Sequence, residues 1–351
     1  MTLQRTPNGG IQPQAVVDAQ QTIHLIYFKG EAKAGDLYYV SRKTGETEFS
    51  KPIKVNSRPA SAVAIGTVRG GQLALGKKGR VHVAWNGASG IGGMQYSRLS
   101  DTGDAFEPQR NLMQKSFLPD GGCSIAANES GQVLVAWHGV TTGQEGEDQR
   151  QMWAARSSDD GKTFTTEVPL WTNTTGACGC CSTRALSDEK NTYLLYRSAT
   201  SGDGRDIYLL QSDDQQRTFN GALLDRWKIN SCPMSTYALA MGPKGVVAAW
   251  DTKGQIYFTT LTGGLVKQPK LTAAPGTPNG RKHPAIAINS SGTMLLAWTE
   301  GTGWQRGGAL AWQLYNANGQ TIDIKGQKDA AIGVWGVPSA VAVGDGFILF
   351  H

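Results

Sequence analysis

Residues 157–164 read Ser-Ser-Asp-Asp-Gly-Lys-Thr-Phe, an S-x-D-x-G-x-T-F octapeptide that dictates a tight turn between two strands. Asp159 can accept from N–H groups of the turn, Gly161 can take the positive φ that closes it, and Phe164 can anchor it in an apolar core. The motif is structural and not catalytic. Its frame returns along the chain. Ser212, Asp214, Thr218 and Phe219 keep it with Gln216 replacing the glycine, Asp101, Gly103 and Phe106 form a more decayed copy, and Ser41, Gly45, Thr47 and Phe49 form another with one residue inserted. A turn recurring in phase marks a repeat architecture.

A second repeat runs beside the first. Short apolar stretches ending in an aromatic recur at Ile23 to Tyr27, Val81 to Trp85, Val133 to Trp137, Tyr193 to Tyr196, Val246 to Trp250 and Met294 to Trp298. Each reads as a strand buried on both faces. About ten residues upstream of most lies a small apolar strand, as in Ser124 to Ala127, Tyr237 to Ala240 and Pro284 to Ile288, and these pairs form the inner half of each unit. Met152 to Arg156 and Glu167 to Leu170 flank the octapeptide as outer strands, giving four strands in roughly fifty residues. Six units are complete. A seventh inner pair, Ser339 to Val343 and Phe347 to Phe350, ends the chain, and the segment around Leu3 to Thr6 is placed to close the ring.

These features resemble the sialidase/BNR-repeat superfamily, whose Asp boxes match S-x-D-x-G-x-T-F, across nearly the whole chain. The resemblance implies an all-β propeller of four-stranded blades in a single domain, 1–351. Repeat counting gives seven blades, and the family gives six. The 45 glycines and the lack of long helical periodicity agree with one such domain. No run of about eighteen apolar residues is present, so no membrane span is expected. The net charge of +6 is spread thinly, without a basic block or a nucleic-acid motif, so nucleic acid is not an expected partner. The start, Met-Thr-Leu-Gln-Arg-Thr-Pro, lacks the apolar core of a signal peptide, as it would after signal cleavage. A periplasmic or secreted monomer is the expectation.

The five cysteines are the most distinctive chemistry. Cys178, Cys180 and Cys181 form a C-x-C-C run, with Cys123 and Cys232 in the flanking units. Cys123 lies fourteen residues before Trp137, Cys181 fifteen before Tyr196, Cys232 eighteen before Trp250, and His283 fifteen before Trp298. All therefore fall at or just before an innermost strand, and repeat phase predicts that they converge at one mouth of the central channel. Two chemistries compete for such a cluster. Disulfides linking Cys123 or Cys232 to the triplet would leave an odd thiol. A soft-metal site would use Cys123, Cys178, Cys180, Cys181, Cys232 and His283 as a ligand pool, with copper ahead of zinc. Thiol-redox chemistry is a third use. The C-x-C-C run and the stretch Trp227-Lys-Ile-Asn-Ser-Cys-Pro-Met234 resemble a bacterial sialidase-like branch whose activity the resemblance does not supply.

The alternative ligand is a glycan. The resemblance to exo-sialidases implies an arginine triad that clamps a carboxylate, a Tyr-Glu nucleophile pair and an aspartate acid/base. The Arg-Ile-Pro stretch that carries the first arginine is absent, and Arg58-Pro59 is its nearest imitation. Arg184, Arg281 and Tyr237 stand near inner-strand starts and are the candidates for such a site, because a planar guanidinium pairs two-pronged with a carboxylate. His24 and His82 share one repeat position and read as packing residues. Trp304 and Trp335 lie out of phase in glycine-rich loops, where an indole can stack on a sugar.

Overall fold

The computed structural model describes residues 1–213, 216–265 and 267–351. Among them, six four-stranded sheets and one three-stranded sheet form seven blades. Blades 1 to 6 begin at their innermost strands, Ile11–Val17, Gln72–Leu75, Ser124–Ala127, Arg184–Ser187, Ala238–Gly242 and Lys282–Ile288. Blade 7 consists of Ser339–Val343, Gly346–Phe350 and, parallel to the latter, Thr2–Gln4, with Leu3 opposite Leu349. The number is therefore seven, as counting predicts, and not the six of the family pattern. Each innermost strand neighbours those of the two adjacent blades, so the seven line a central channel.

The second strand of each blade explains the aromatic-ended stretches. Val133–Gly139 and Val81–Asn86 are buried at every position because each blade face packs against a neighbouring blade. Trp85, Trp137 and Trp250 are fully buried, and each indole N–H finds an acceptor at Ser61 O, Ser116 Oγ and Asp225 Oδ2 respectively. The core is accordingly distributed into seven apolar clusters, one per seam between adjacent blades. Ile23, Leu25 and Tyr27 of blade 1 meet Val341 and Phe350 of blade 7, so the seam that closes the ring resembles the others.

The octapeptide turn forms as its residues require. Asp159 Oδ1 accepts from the Thr163 N–H at 2.9 Å and Ser157 Oγ at 2.7 Å, Oδ2 accepts from Thr163 Oγ1 at 2.7 Å, and Gly161 has φ +76°. Phe164 meets Tyr96 of blade 2 edge-on at 4.7 Å. In the degenerate copy, Gln216 itself adopts φ +55° and donates to Thr192 Oγ1, while Asp214 lies outside the described residues. His24 and His82 play one packing role twice, each joined to a tyrosine hydroxyl and an aspartate: Tyr39 with Asp18, and Tyr96 with Asp160. Among the described residues no helix is long and apolar enough to cross a membrane.

Candidate metal centre

The loop from blade 3 into blade 4 carries the thiols and is pinned at both ends. The Ala177 N–H donates to Glu147 O, the Cys178 N–H to Arg197 O, and the Ser182 N–H to Ser235 O. Between them the Gly179 N–H donates to Glu147 Oε1 at 2.6 Å. The Cys181 N–H folds back to Cys178 O. The result gathers three sulfurs, all within 4.8 Å of one another. Cys178 Sγ is 2.8 Å from Cys181 Sγ and 3.5 Å from Cys180 Sγ. Cys178 and Cys181 are 1% exposed, and Cys180 is half-buried.

The three thiols are electrostatically unequal. Burial alone would raise the Cys181 pKa, but hydrogen bonds from the Cys178 and Cys180 thiols, the Arg197 guanidinium and the Ser235 N–H hold it well below an ordinary thiol. The Cys178 thiol is pushed up chiefly by its hydrogen bonds to Cys180 and Cys181, whereas at Cys180 the hydrogen bond with Cys178 lowers the pKa and the Cys181 hydrogen bond and burial outweigh it, so that thiol too is pushed up. Arg197 is fully buried, donates to the backbone oxygens of Arg205 and Asp251, and lies 4.8 Å from the Trp227 ring centroid. Around it several polar atoms lack partners among the described residues: Arg197 Nε, Tyr237 Oη, Asp251 Oδ1, and Nε and Nη1 of Arg205. Buried polar atoms are ordinarily satisfied, so such a concentration marks a place where the folded chain has not completed its own bonding.

The structure thus brings together Cys178, Cys180 and Cys181, and leaves the rest of the predicted ligand pool outside that group. Cys123 precedes an innermost strand as expected, but its side chain packs in the seam between blades 2 and 3, while the triplet packs in the seam between blades 4 and 5. Cys232 is exposed. Its loop approaches the triplet through backbone instead, with the Met234 N–H directed at the Cys180 sulfur and the Ser235 N–H at the Cys181 sulfur. His283 lines the channel, bonded to Thr236 Oγ1 at 3.1 Å, and burial pushes its pKa down to about 3. All five cysteines are unpaired.

The carboxylate clamp is not assembled. Arg281 pairs with Glu300 at 2.9 Å, donates to Gln255 Oε1 and Pro275 O, and stacks on Trp298 between blades 5 and 6. Arg184 does reach the channel, while Tyr237 directs its hydroxyl toward the thiols and Arg197. Sequence reasoning does not single out Arg197 or Asp251, yet a signal is present. Asn86, His138, Arg197, Asp251 and Thr299 each directly follow the aromatic of an inner pair, and all are buried.

No protein-family model matches the chain, and no curated protein sequence matches it. Solved structures do. The α-L-arabinanase of Penicillium chrysogenum complexed with arabinobiose aligns over 90% of this chain and 95% of its own, at 13% identity and TM-score 0.52. The GH93 α-L-arabinofuranosidase of Fusarium graminearum with arabinobiose aligns over 83% and 88%, at 14% identity and TM-score 0.52. A fungal alcohol oxidase of the AA5 family in complex with copper aligns over 95% and 68%, at 13% identity and TM-score 0.54. Likeness at this level establishes the propeller fold and leaves function to the site.

Proposed function

We propose that the protein binds a soft, thiophilic ion, Cu(I) ahead of zinc, through Cys178, Cys180 and Cys181. The observation that carries this reading is the convergence of three sulfurs within 4.8 Å on one short, pinned loop. Metal–sulfur bonds of about 2.3 Å in a trigonal plane set sulfurs roughly 4 Å apart, so the triplet needs to open only slightly to accept an ion. Thiolates select Cu(I), whereas structural zinc asks for four ligands and the group supplies three. Arg197 fits this use as well, since a buried cation offsets the negative charge of a thiolate-bound monovalent ion.

Binding displaces the protons of Cys178 and Cys180, so affinity rises with pH. The test is anaerobic titration of fully reduced protein with Cu(I) against a chromophoric chelator. One equivalent held by the wild type, with proton release, is expected. Wild-type protein that surrenders all copper to the competitor would overturn the assignment.

The octapeptide turns and blade pattern support membership of the sialidase/BNR superfamily, and the C-x-C-C loop supports a branch of it adapted to thiol chemistry. A periplasmic or secreted setting accords with that reading. A glycan-binding role has one observation in its favour: Trp304 is 55% exposed, braced edge-on by Trp335 at 4.7 Å. Hydrolysis of the sialidase kind lacks that support, because Arg281 is committed to Glu300.

A further inference from the structure

The three clustered thiols differ in their access to solvent. Cys180 is half-buried, whereas Cys178 and Cys181 are each 1% exposed, so Cys180 is the member of the group that a molecule from solution meets first. Cys178 Sγ touches both of the others, at 3.5 Å from Cys180 Sγ and 2.8 Å from Cys181 Sγ. A sulfur contact therefore leads from the accessible thiol to a buried pair.

The backbone favours one pairing among the three. Residues 178–181 form a turn closed by the Cys181 N–H on Cys178 O at 3.3 Å, with Gly179 and Cys180 at its centre. Such a turn holds its end Cα atoms within about 7 Å, which overlaps the span that a disulfide bridges. Both ends are anchored, the Cys178 N–H on Arg197 O and the Ser182 N–H on Ser235 O, so the end sulfurs are held together before any bond forms. Cys180 and Cys181 are the poorer pair, because adjacent Cα atoms about 3.8 Å apart lie below the usual disulfide span.

We infer that the C-x-C-C loop reduces small or peptide disulfides, with Cys180 taking up the incoming sulfur and Cys178 and Cys181 ending as a buried disulfide. The Cys180 thiolate attacks one sulfur of R–S–S–R, whose S–S bond breaks to release R–S⁻ and leave a Cys180–S–S–R mixed disulfide. Cys178 then attacks the Cys180 sulfur, expelling the second R–S⁻ and joining Cys178 to Cys180. Cys181 attacks the Cys178 sulfur beside it, displacing Cys180 as a thiolate and leaving the Cys178–Cys181 disulfide. Two protein thiols have given up two electrons and two protons, the substrate has become two R–SH, and Cys180 is regenerated. The same sulfurs serve the metal reading, but this chemistry needs no ion, and either can fail without the other.

The test equilibrates metal-free, fully reduced protein with glutathione disulfide and glutathione over a range of ratios. Free thiols are blocked with N-ethylmaleimide, disulfides are then reduced and alkylated with iodoacetamide, and fragment masses locate each label. Oxidised protein should carry N-ethylmaleimide on Cys180 and the second label on Cys178 and Cys181. Cys180→Ser should reach the same disulfide more slowly, by about ten-fold or more, because the accessible entry is gone. Cys178→Ser should hold glutathione on Cys180, the step that normally follows having lost its nucleophile. Three free thiols at every ratio, a stable disulfide through Cys180, oxidation confined to Cys232, or oxidation as fast in Cys180→Ser as in wild type would overturn the inference. The wild-type label pattern decides even if the variants do not fold. Retention of Cu(I) in the chelator competition by protein whose thiols ignore glutathione disulfide would leave the metal reading standing and sink this one alone.

Discussion

Two buried polar clusters, both at seams between blades, differ in one respect. Between blades 2 and 3, Asp160 accepts from Arg80 Nε at 2.6 Å, the Lys77 N–H at 3.1 Å and His82 Nε2 at 3.2 Å, and His82 Nδ1 meets Tyr96 Oη at 2.7 Å. Arg98 donates to Asp160 O and to Glu107. Every one of those polar side chains is partnered. Between blades 4 and 5, around the thiols, Tyr237, Asp251, Arg197 and Arg205 all leave atoms unpaired. The first cluster is complete as folded, whereas the second is arranged for something added. Completeness of hydrogen bonding, more than burial or charge, separates a structural polar cluster from a candidate site.

The comparison breaks first at the thiols. Replacing Cys178, Cys180 and Cys181 together by serine should lower Cu(I) affinity by about a thousand-fold or more, since hydroxyls are hard and mostly protonated ligands. Cys123→Ser and Cys232→Ser should stay within a few-fold of wild type in the same chelator competition. A large loss from Cys123→Ser would return that residue to the site.

The complete cluster should respond in stability and not in metal binding. Asp160→Asn leaves Arg80 and His82 without their shared anion, and should cost about 3 kcal/mol in denaturant unfolding with Cu(I) affinity unchanged. Burial would raise the Asp160 pKa, but His82, Arg80 and the Lys77 N–H bring it down to about 2. Its contribution is therefore full above the unfolded value of 3.8 and is lost as pH falls through 2. Unfolding midpoints across pH 5 to 2, compared between wild type and variant, check this.

Acid should also act through the neutral histidines. Burial pushes His138 and His283 down to about 3, so each favours the fold fully above pH 6.5, and that advantage declines as pH falls from 6.5 toward 3. The slope is at most about 1.4 kcal/mol per pH unit for each histidine. His138→Gln should flatten the profile by one histidine, and an unchanged slope would show that His138 is not buried neutral.

The smallest effect sharpens the contrast. Tyr237→Phe removes a hydroxyl that has no partner among the described residues, so metal-free stability should be unchanged or rise by up to about 1 kcal/mol. Clear destabilisation by calorimetry would mean that the hydroxyl is bonded and the second cluster is as closed as the first.

Strands were legible because burial on both faces gives each blade an uninterrupted apolar run ending in an aromatic, as in Val133 to Trp137 and Val246 to Trp250. Blade number followed from counting those runs, and closure followed from the seventh inner pair lacking an outer strand, which Thr2–Gln4 supplies. The site was only partly legible. Repeat phase fixes how far along the channel a residue sits but not which way its side chain points, and successive residues of an extended chain face opposite sides. Cys123 therefore has the expected height and enters the wrong seam. Arg197 and Asp251 were in phase with Asn86 and His138, yet their chemistry emerged only when two blades were set side by side.

The ring can be viewed as a series of sockets, each floored by the residue that follows the aromatic of an inner pair. In blades 2 to 6 the residue after the inner aromatic forms the socket floor: Asn86 holds the backbone of Gly121 and Cys123, His138 accepts from Gly121, Arg197 O receives the Cys178 N–H, and Thr299 holds Lys282 O. Blade-to-blade geometry is set by apolar seams and not by these floors, so a socket can change its contents without disturbing the ring. The scaffold is modular at the resolution of a single loop, and the C-x-C-C loop is one cartridge fitted to one of its sockets.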